Sequence, residues 1–457
     1  MSDACEYVLK NTYVRHPEVS VTTVSMKAPP GPPGPVDMER MRDDPLGFVT
    51  GLAREYGDVS VHDANGETVF MLHRPDLARH VLKDNVGNYT KENTPDDHML
   101  RPLLGNGLLT SDGEEWARQR RLCAPAFRRS EVASFDGIIV EETEALLARW
   151  RASGPGVSQP IDHQLTSLTL SILTRAVLDV DLGAAGDGFG RAVDAVNRHI
   201  GHYVPDPDPD PADTASRRQG YVRARALLDM VTRTVIASRR SCPQATGTLL
   251  DSMLGALNDT DLRDQVLTLI MAGHETTAKS LTWTFYLLDR HPEEAERIRA
   301  EVDRVLGGRP PTAADLPDLP LCKRAVQEAM RLYPPVWLIS RRATGADEID
   351  GHHVPPGALV CVSQWVLHRH PGYWDRPEEY VPDRFENADL PSHLYLPFGG
   401  GERICIGQHL ALIEATLVLA TVSQSVRLEL EPGFPVEPEA LVTLRPKHGM
   451  RMAVSPR

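Results

Sequence analysis

The sequence predicts a mostly α-helical protein with a minor β-sheet, and three observations carry that reading. Apolar residues recur at helical spacing over long stretches, the longest running from near Asp261 to just before His291-Pro292. Strand-like alternation is confined to short runs, of which "VSVHDANGETVFML" is the clearest: Asn65-Gly66 between two β-prone halves marks a tight hairpin. Proline clusters punctuate the chain where neither helix nor inner strand can run.

Taken in order, residues 1–28 read as an appended arm and residues 29–457 as one globular domain. "PPGPPGP" (Pro29 to Pro35) must be extended, since proline fixes φ and lacks a donor. The hairpin follows. Helical patterns at Gly188 to His202 and Ser216 to Arg240 flank "PDPDPDP" (Pro205 to Pro211), whose alternating acids make it a solvated loop. Further short strands fit Leu359 to Ser363 and Val442 to Leu444. The apolar run Ile404 to Val422 is interrupted by Gln408, His409 and Glu414, which predicts a buried helix rather than a membrane span. With no basic-then-apolar leader at the start, a cytoplasmic protein without a membrane anchor is expected.

A formal charge of -14 argues against nucleic acid or anionic lipid as a partner. The six cysteines show no C-x-x-C pairing, which argues against a disulfide framework and a zinc site. Cys405 stands out among them. It lies in "FGGGERICIG", Phe398 to Gly407, among four glycines with an arginine close by. A phosphate loop would need a lysine and a hydroxyl after the glycines, and neither is there. A nucleophilic cysteine would want a base, and His409 lies one helical turn on. A metal ligand is the third reading, with glycines admitting a large flat cofactor and amides lowering the basicity of the sulfur.

The pattern F-x-x-G-x-R-x-C-x-G, met by Phe398, Gly401, Arg403, Cys405 and Gly407, resembles the haem loop of the cytochrome P450 family. The resemblance implies the P450 fold, with haem b between the long central helix and the cysteine loop and Cys405 as the axial thiolate of its iron. Phe398, Gly399, Arg403 and Gly407 would frame that loop. Four further segments resemble the family in its order. Ala272-Gly273-His274-Glu275-Thr276-Thr277 matches its oxygen-activation motif, so Ala272 would lie against the haem, Thr276 would hold the proton network and Glu275 would link it towards solvent. A threonine there can also bond back to an i−4 carbonyl and bend the helix. Glu328 and Arg331 in "QEAMRLYPP", with Arg384 in "PEEYVPDRF", would form a buried structural triad. Asp383 stands where glutamate is usual.

"EEWARQRRLCAPAFRR" puts Trp116 and Arg120 one turn apart on one face, both suited to a carboxylate, and the resemblance makes it a haem propionate. Arg118 and Arg121 project elsewhere and, with Arg128 and Arg129, form either a solvated face or a docking site for an acidic electron carrier. In "PPVWLISRRA", Arg341 would reach the second propionate, with Arg342 an equal alternative, and Val336, Trp337 and Leu338 would lie near the substrate pocket. The loop Tyr89 to Leu109 and the two lid helices would set regiochemistry.

The resemblance therefore implies a monooxygenase that inserts one atom of dioxygen into a C–H or C=C bond of an apolar small molecule, such as a terpenoid or polyketide. Electrons would come from an external ferredoxin or flavodoxin with its NAD(P)H-dependent reductase. The alternatives are a haem-thiolate peroxygenase or isomerase that does not use dioxygen, and a non-enzymatic haem sensor. The acid-threonine pair disfavours both.

Overall fold

The computed structural model describes residues 29–183, 185–201, 211–241, 248–386 and 389–457. The arm at 1–28, residues 205–210 of the Pro-Asp run, Cys5 and Cys242 lie outside the described residues.

The proline-rich segment is extended and serves as a sheet edge. Val61 N–H donates to the Pro30 carbonyl (2.8 Å) and Val36 N–H to the Asp63 carbonyl (3.0 Å). Gly31 makes the approach possible, because a Cβ there would run into the Val61 carbonyl oxygen. Helix α1 (Pro45–Tyr56) follows, then the predicted hairpin of β1 (Val59–Ala64) and β2 (Glu67–Leu72). Asn65 (φ 56°) and Gly66 (φ 87°) both take the left-handed conformation that a two-residue hairpin turn demands. With β3 (Tyr89–Thr90), β4 (Ile339–Ala343) and β5 (Leu359–Val362) they build a five-stranded sheet in the order β1-β2-β5-β4-β3. One sheet face buries Val69, Met71, Leu359 and Cys361 against Leu46, Phe48, Val49 and Leu52 of α1. The expected strand at Leu359 to Ser363 stops one residue short because Ser363 caps the next turn, accepting from Val366 N–H.

The rest is mostly helical: α2 (Gly113–Cys123), α3 (Asp136–Ser153), α4 (Ile161–Val177), α5 (Ala185–Ile200), α6 (Pro211–Ser241), α7 (Asp259–Arg290), α8 (Pro320–Leu332) and α9 (Gln408–Ser425). The central helix α7 starts where Asn258 caps it, accepting from the Thr260 and Asp261 amides, and stops before the His291-Pro292 pair. It lies against α4 at close range. A Cβ on Gly273 would sit 2.8 Å from Leu173 Cδ2, and Thr169 Oγ1 donates to the His274 carbonyl at 2.8 Å. The glycine that looks costly in mid-helix thus gives the Leu173 methyls room against α7. A last hairpin pairs β6 (Pro438–Ala440) with β7 (Leu444–Pro446). The strand expected at Val442 to Leu444 is displaced, because residues 441–443 form its turn. No helix among the described residues is long and apolar enough to cross a membrane.

Helix α9 carries an unusual acid. Glu414 is buried, one of its oxygens has no partner among the described residues, and burial alone pushes its pKa well above the usual carboxylate range. Its folded pKa is raised, so its contribution to stability is present below the unfolded value and is lost as pH rises towards the folded one. Glu414→Gln should therefore raise the thermal midpoint at pH 7 and make little difference at pH 4, as read by calorimetry across that range.

Candidate active site

The Cys405 loop is closed by Cys405 N–H donating to the Phe398 carbonyl at 2.9 Å. Gly399 (φ 71°) and Gly401 (φ 67°) hold its left-handed turns. A Cβ on Gly401 would strike the Leu82 carbonyl, so this glycine serves the seating of the loop on the 80–84 turn, not a cofactor. Cys405 is exposed, whereas Cys123, Cys322 and Cys361 are buried. Burial nevertheless raises the pKa of its thiol, against the opposing Gly407 amide and the Arg120 charge. The sulfur is thus both reachable and largely desolvated. Gly407 also caps α9, which points its positive N-terminal end at the sulfur. No hydrogen bond joins His409 to Cys405, so the nucleophile-base reading has no geometric support.

Around the sulfur is a surplus of buried positive charge. Arg341 is buried and donates to the Ser340 carbonyl at 2.7 Å; burial, then repulsion from Arg403, pushes its pKa down to about 10. Lys91 donates to the Leu109 carbonyl at 2.8 Å, and burial, then the Arg341 charge, brings it down to about 8. Arg403 pairs with Asp112 and lies over the Trp116 ring, 4.5 Å from its centroid. Arg120 is half-buried and has no hydrogen-bond partner among the described residues. Four cations face three acids, Asp96, Asp112 and Glu402, and the positive charge left over calls for an anionic guest. Among the described residues no group of three or more His, Cys, Asp or Glu could hold a metal, so a metal at Cys405 must bring its other donors with it. A metalloporphyrin with two carboxylates and one open axial position fits both conditions.

Residues 30–451 match the cytochrome P450 family. The chain belongs to that family.

This P450 is 34% identical to cyclooctatin synthase of Streptomyces melanosporofaciens over 91% of this chain and 92% of that one. It is 32% identical to pentalenene oxygenase of Streptomyces avermitilis over 92% and 94%. Its structure superposes on the haem domain of cytochrome P450DA with a TM-score of 0.84 at 27% identity, covering 94% of this chain and 98% of that one. The activity is that of a cytochrome P450 monooxygenase with a haem-thiolate cofactor.

In this P450, strand alternation separates the two candidate arginines. Arg341 faces Arg403, while Arg342 is bound on the other side to the Asn93 carbonyl (3.0 Å), the Gly357 carbonyl (2.7 Å) and Glu67 (2.5 Å). Lys91 carries no motif, and sequence reasoning missed it. On α7, Ala272 is exposed in the middle of an otherwise buried helix, and Thr276 Oγ1 makes the expected back-bond to its carbonyl at 2.9 Å. Glu275 departs from expectation. It does not lead to solvent but is buried, accepting from Asn197 Nδ2 (2.6 Å) and Thr443 Oγ1 (3.0 Å).

The triad residues meet: Arg331 Nε donates to Glu328 at 2.7 Å and Arg384 Nε at 3.0 Å, with Glu328 and Arg331 wholly buried. Asp383 stays outside it, pairing with Arg297 (2.9 Å) and Arg324 (3.3 Å). Trp337 and Leu338 are buried in the layer under α1, and the Trp337 indole donates to the Leu441 carbonyl at 2.8 Å. Val336 alone of the three is exposed. Part of the Tyr89 to Leu109 loop is pinned to α7, the Asn106 amide donating to Asp264 (2.9 Å) and the Leu108 amide to Gln265 (3.2 Å).

Arg341→Met should speed haem transfer to apomyoglobin by tenfold or more, the equivalent of about 1.4 kcal/mol or more. Arg342→Met should lower the thermal midpoint and leave the transfer rate unchanged, since its partners are structural.

Proposed function

We propose that this P450 binds haem b through Cys405, with Arg341, Arg403, Arg120, Trp116 and Lys91 at the haem carboxylates. It inserts one oxygen atom of dioxygen into a C–H or C=C bond of an apolar cyclic terpenoid. The observation that carries the reading is the reachable, desolvated Cys405 sulfur with Arg120 beside it and the cluster of Arg403, Arg341 and Lys91 adjoining Arg120. Thiolate-ligated iron supplies the chemistry that favours O–O bond cleavage. The chain supplies the rest. Arg120 and the Gly407 amide temper the sulfur, and Thr276 holds a hydroxyl proton beside the Ala272 carbonyl, with Glu275 as the acid next to it. That acid-hydroxyl pair supports the dioxygen reading over a peroxygenase, an isomerase or a haem sensor. The terpenoid class follows the relatives named for cyclooctatin and pentalenene.

A cytoplasmic ferredoxin or flavodoxin delivers the electrons. Of the arginines considered for docking it, Arg118 is already engaged by Glu115 (2.7 Å) and lies 3.8 Å from Asp261. Arg121, Arg128 and Arg129 are exposed and form no ion pair among the described residues, which makes them the better docking charges.

The carbon-monoxide difference spectrum of the reduced protein should show the red-shifted thiolate band, and Cys405→Ala should lose it; a histidine-type band would refute the assignment. Cyclic sesquiterpenes and diterpenes should shift the iron spin state where linear fatty acids do not. Reversing Arg121, Arg128 and Arg129 to Glu should slow ferredoxin-driven reduction at least tenfold at low salt and leave dithionite reduction unaltered, with Arg118→Glu the milder change.

A further inference from the structure

Three parts of the chain carry the cations beside Cys405, and they meet at one carboxylate. Lys91 follows strand β3, whose neighbour β4 carries Arg341; Arg120 lies on α2 with Trp116; Arg403 lies in the cysteine loop. Asp112 binds all three parts. One of its oxygens accepts from the Thr90 hydroxyl and from the Lys91 amide (2.8 Å). The other accepts from the Gly113 amide at the start of α2 (2.9 Å) and from the Arg403 guanidinium. Those four donors fill the accepting capacity of a carboxylate. Burial works to raise its pKa, but the Thr90 and Lys91 bonds and then the Arg403 charge bring it down to about 2, so it is an anion at neutral pH.

Its effect falls on one cation. Arg341 and Lys91 donate to the Ser340 and Leu109 carbonyls, which leave their charge intact, and Arg120 has no partner among the described residues. Arg403 is paired with an acid and lies over the Trp116 ring, its side chain only 10% exposed. A guanidinium held by a carboxylate on one side and an indole on the other has fewer donors and less net charge to give a guest. Capping α2 does not by itself call for an acid, since Asn or Ser caps a helix as well.

We propose that Asp112 is a positioning residue for the haem: it shares Arg403 with the haem carboxylates, and so loosens their hold and keeps the bound iron harder to reduce. The proposal rests on the reading above that those carboxylates lie among these cations. An anion held near the iron favours the more positive ferric state, and an Arg403 released onto a haem carboxylate works the other way. Removing the charge of Asp112 should therefore tighten the haem and raise its potential. Losing a merely structural contact would loosen it.

Two measurements on the purified haem protein test it, and neither needs a substrate. The variants are Asp112→Asn and, should that one fold poorly, Asp112→Ser; both keep a cap on α2 and drop the charge. Haem transfer to apomyoglobin should slow at least threefold. Redox titration with dithionite and a mediator dye should show the one-electron equilibrium moved at least threefold towards the ferrous form, about 28 mV at ~59 mV per tenfold. Faster haem transfer, or a potential that stays put, overturns the proposal and leaves Asp112 a structural cap.

Haem dimethyl ester, whose carboxylates are blocked, separates that failure from failure of the underlying reading. Wild type should release the ester at least tenfold faster than haem, and equal release of the two would remove the carboxylates from the cation cluster altogether, whatever Asp112→Asn does. The ester should also leave wild type and Asp112→Asn at the same rate, because a freed Arg403 then has no carboxylate to take. A variant that slows the ester as much as it slows haem would show that Asp112 acts on the fold and not through Arg403, which overturns the proposal.

Discussion

The site depends on a buried ion network some distance from the chemistry. Glu328 and Arg331 are wholly buried, a placement tolerable only if their hydrogen-bonding capacity is filled. It is filled largely by backbone: Arg331 also donates to the carbonyls of His368 (2.8 Å), Pro377 (2.6 Å) and Glu379 (2.9 Å), and Glu328 accepts from the Val381 amide at 2.9 Å. Helix α8 is thereby tied to the irregular segment that leads into the cysteine loop. His368 continues the tie, its ring nitrogen accepting from the Leu396 amide at 2.8 Å, two residues before Phe398. A segment with little regular structure of its own is positioned by this network, and Cys405 inherits that position.

The electrostatics of the interior oppose those of the whole chain. A protein with a formal charge of -14 gathers Lys91, Arg341, Arg403 and Arg120 into one mutually repelling cluster beside Cys405. Net charge describes the solvated surface, whereas the guest of a buried site is selected by the groups left uncompensated within it. The depressed pKa values of Lys91 and Arg341 express the same tension from the protein's side.

The parts legible in the sequence were those set by local chemistry. The Asn65-Gly66 turn, the span of α7 and the meeting of Glu328, Arg331 and Arg384 follow from backbone preferences and from motifs whose spacing carries their geometry. What was not legible depended on partners distant in the chain. Arg341 and Arg342 are indistinguishable until the neighbouring strands fix which face is which. Glu275 was expected to look outward because nothing in "AGHETT" announces Asn197 or Thr443. Lys91 sits in an unremarkable loop. For Arg118, the Glu115 pair at i,i+3 was visible in principle, but Asp261 comes from another helix. Gly401 was among the glycines read as room for a cofactor, and the place its Cβ would take is filled by the Leu82 carbonyl.

The proline-rich segment also bears on how the chain survives its own synthesis. An outer β-strand with unpaired amides is a template for other chains, and a multi-element protein exposes such edges while it folds. Here the segment that covers β1 is made before β1 itself and lies close to it in sequence, so the edge is capped by a short-range contact as soon as the strand emerges. Proline cannot pass the pairing onward, since it has no N–H to offer. The sheet that carries Arg341 thus has one edge closed against aggregation before the distant helices that complete the site have been translated.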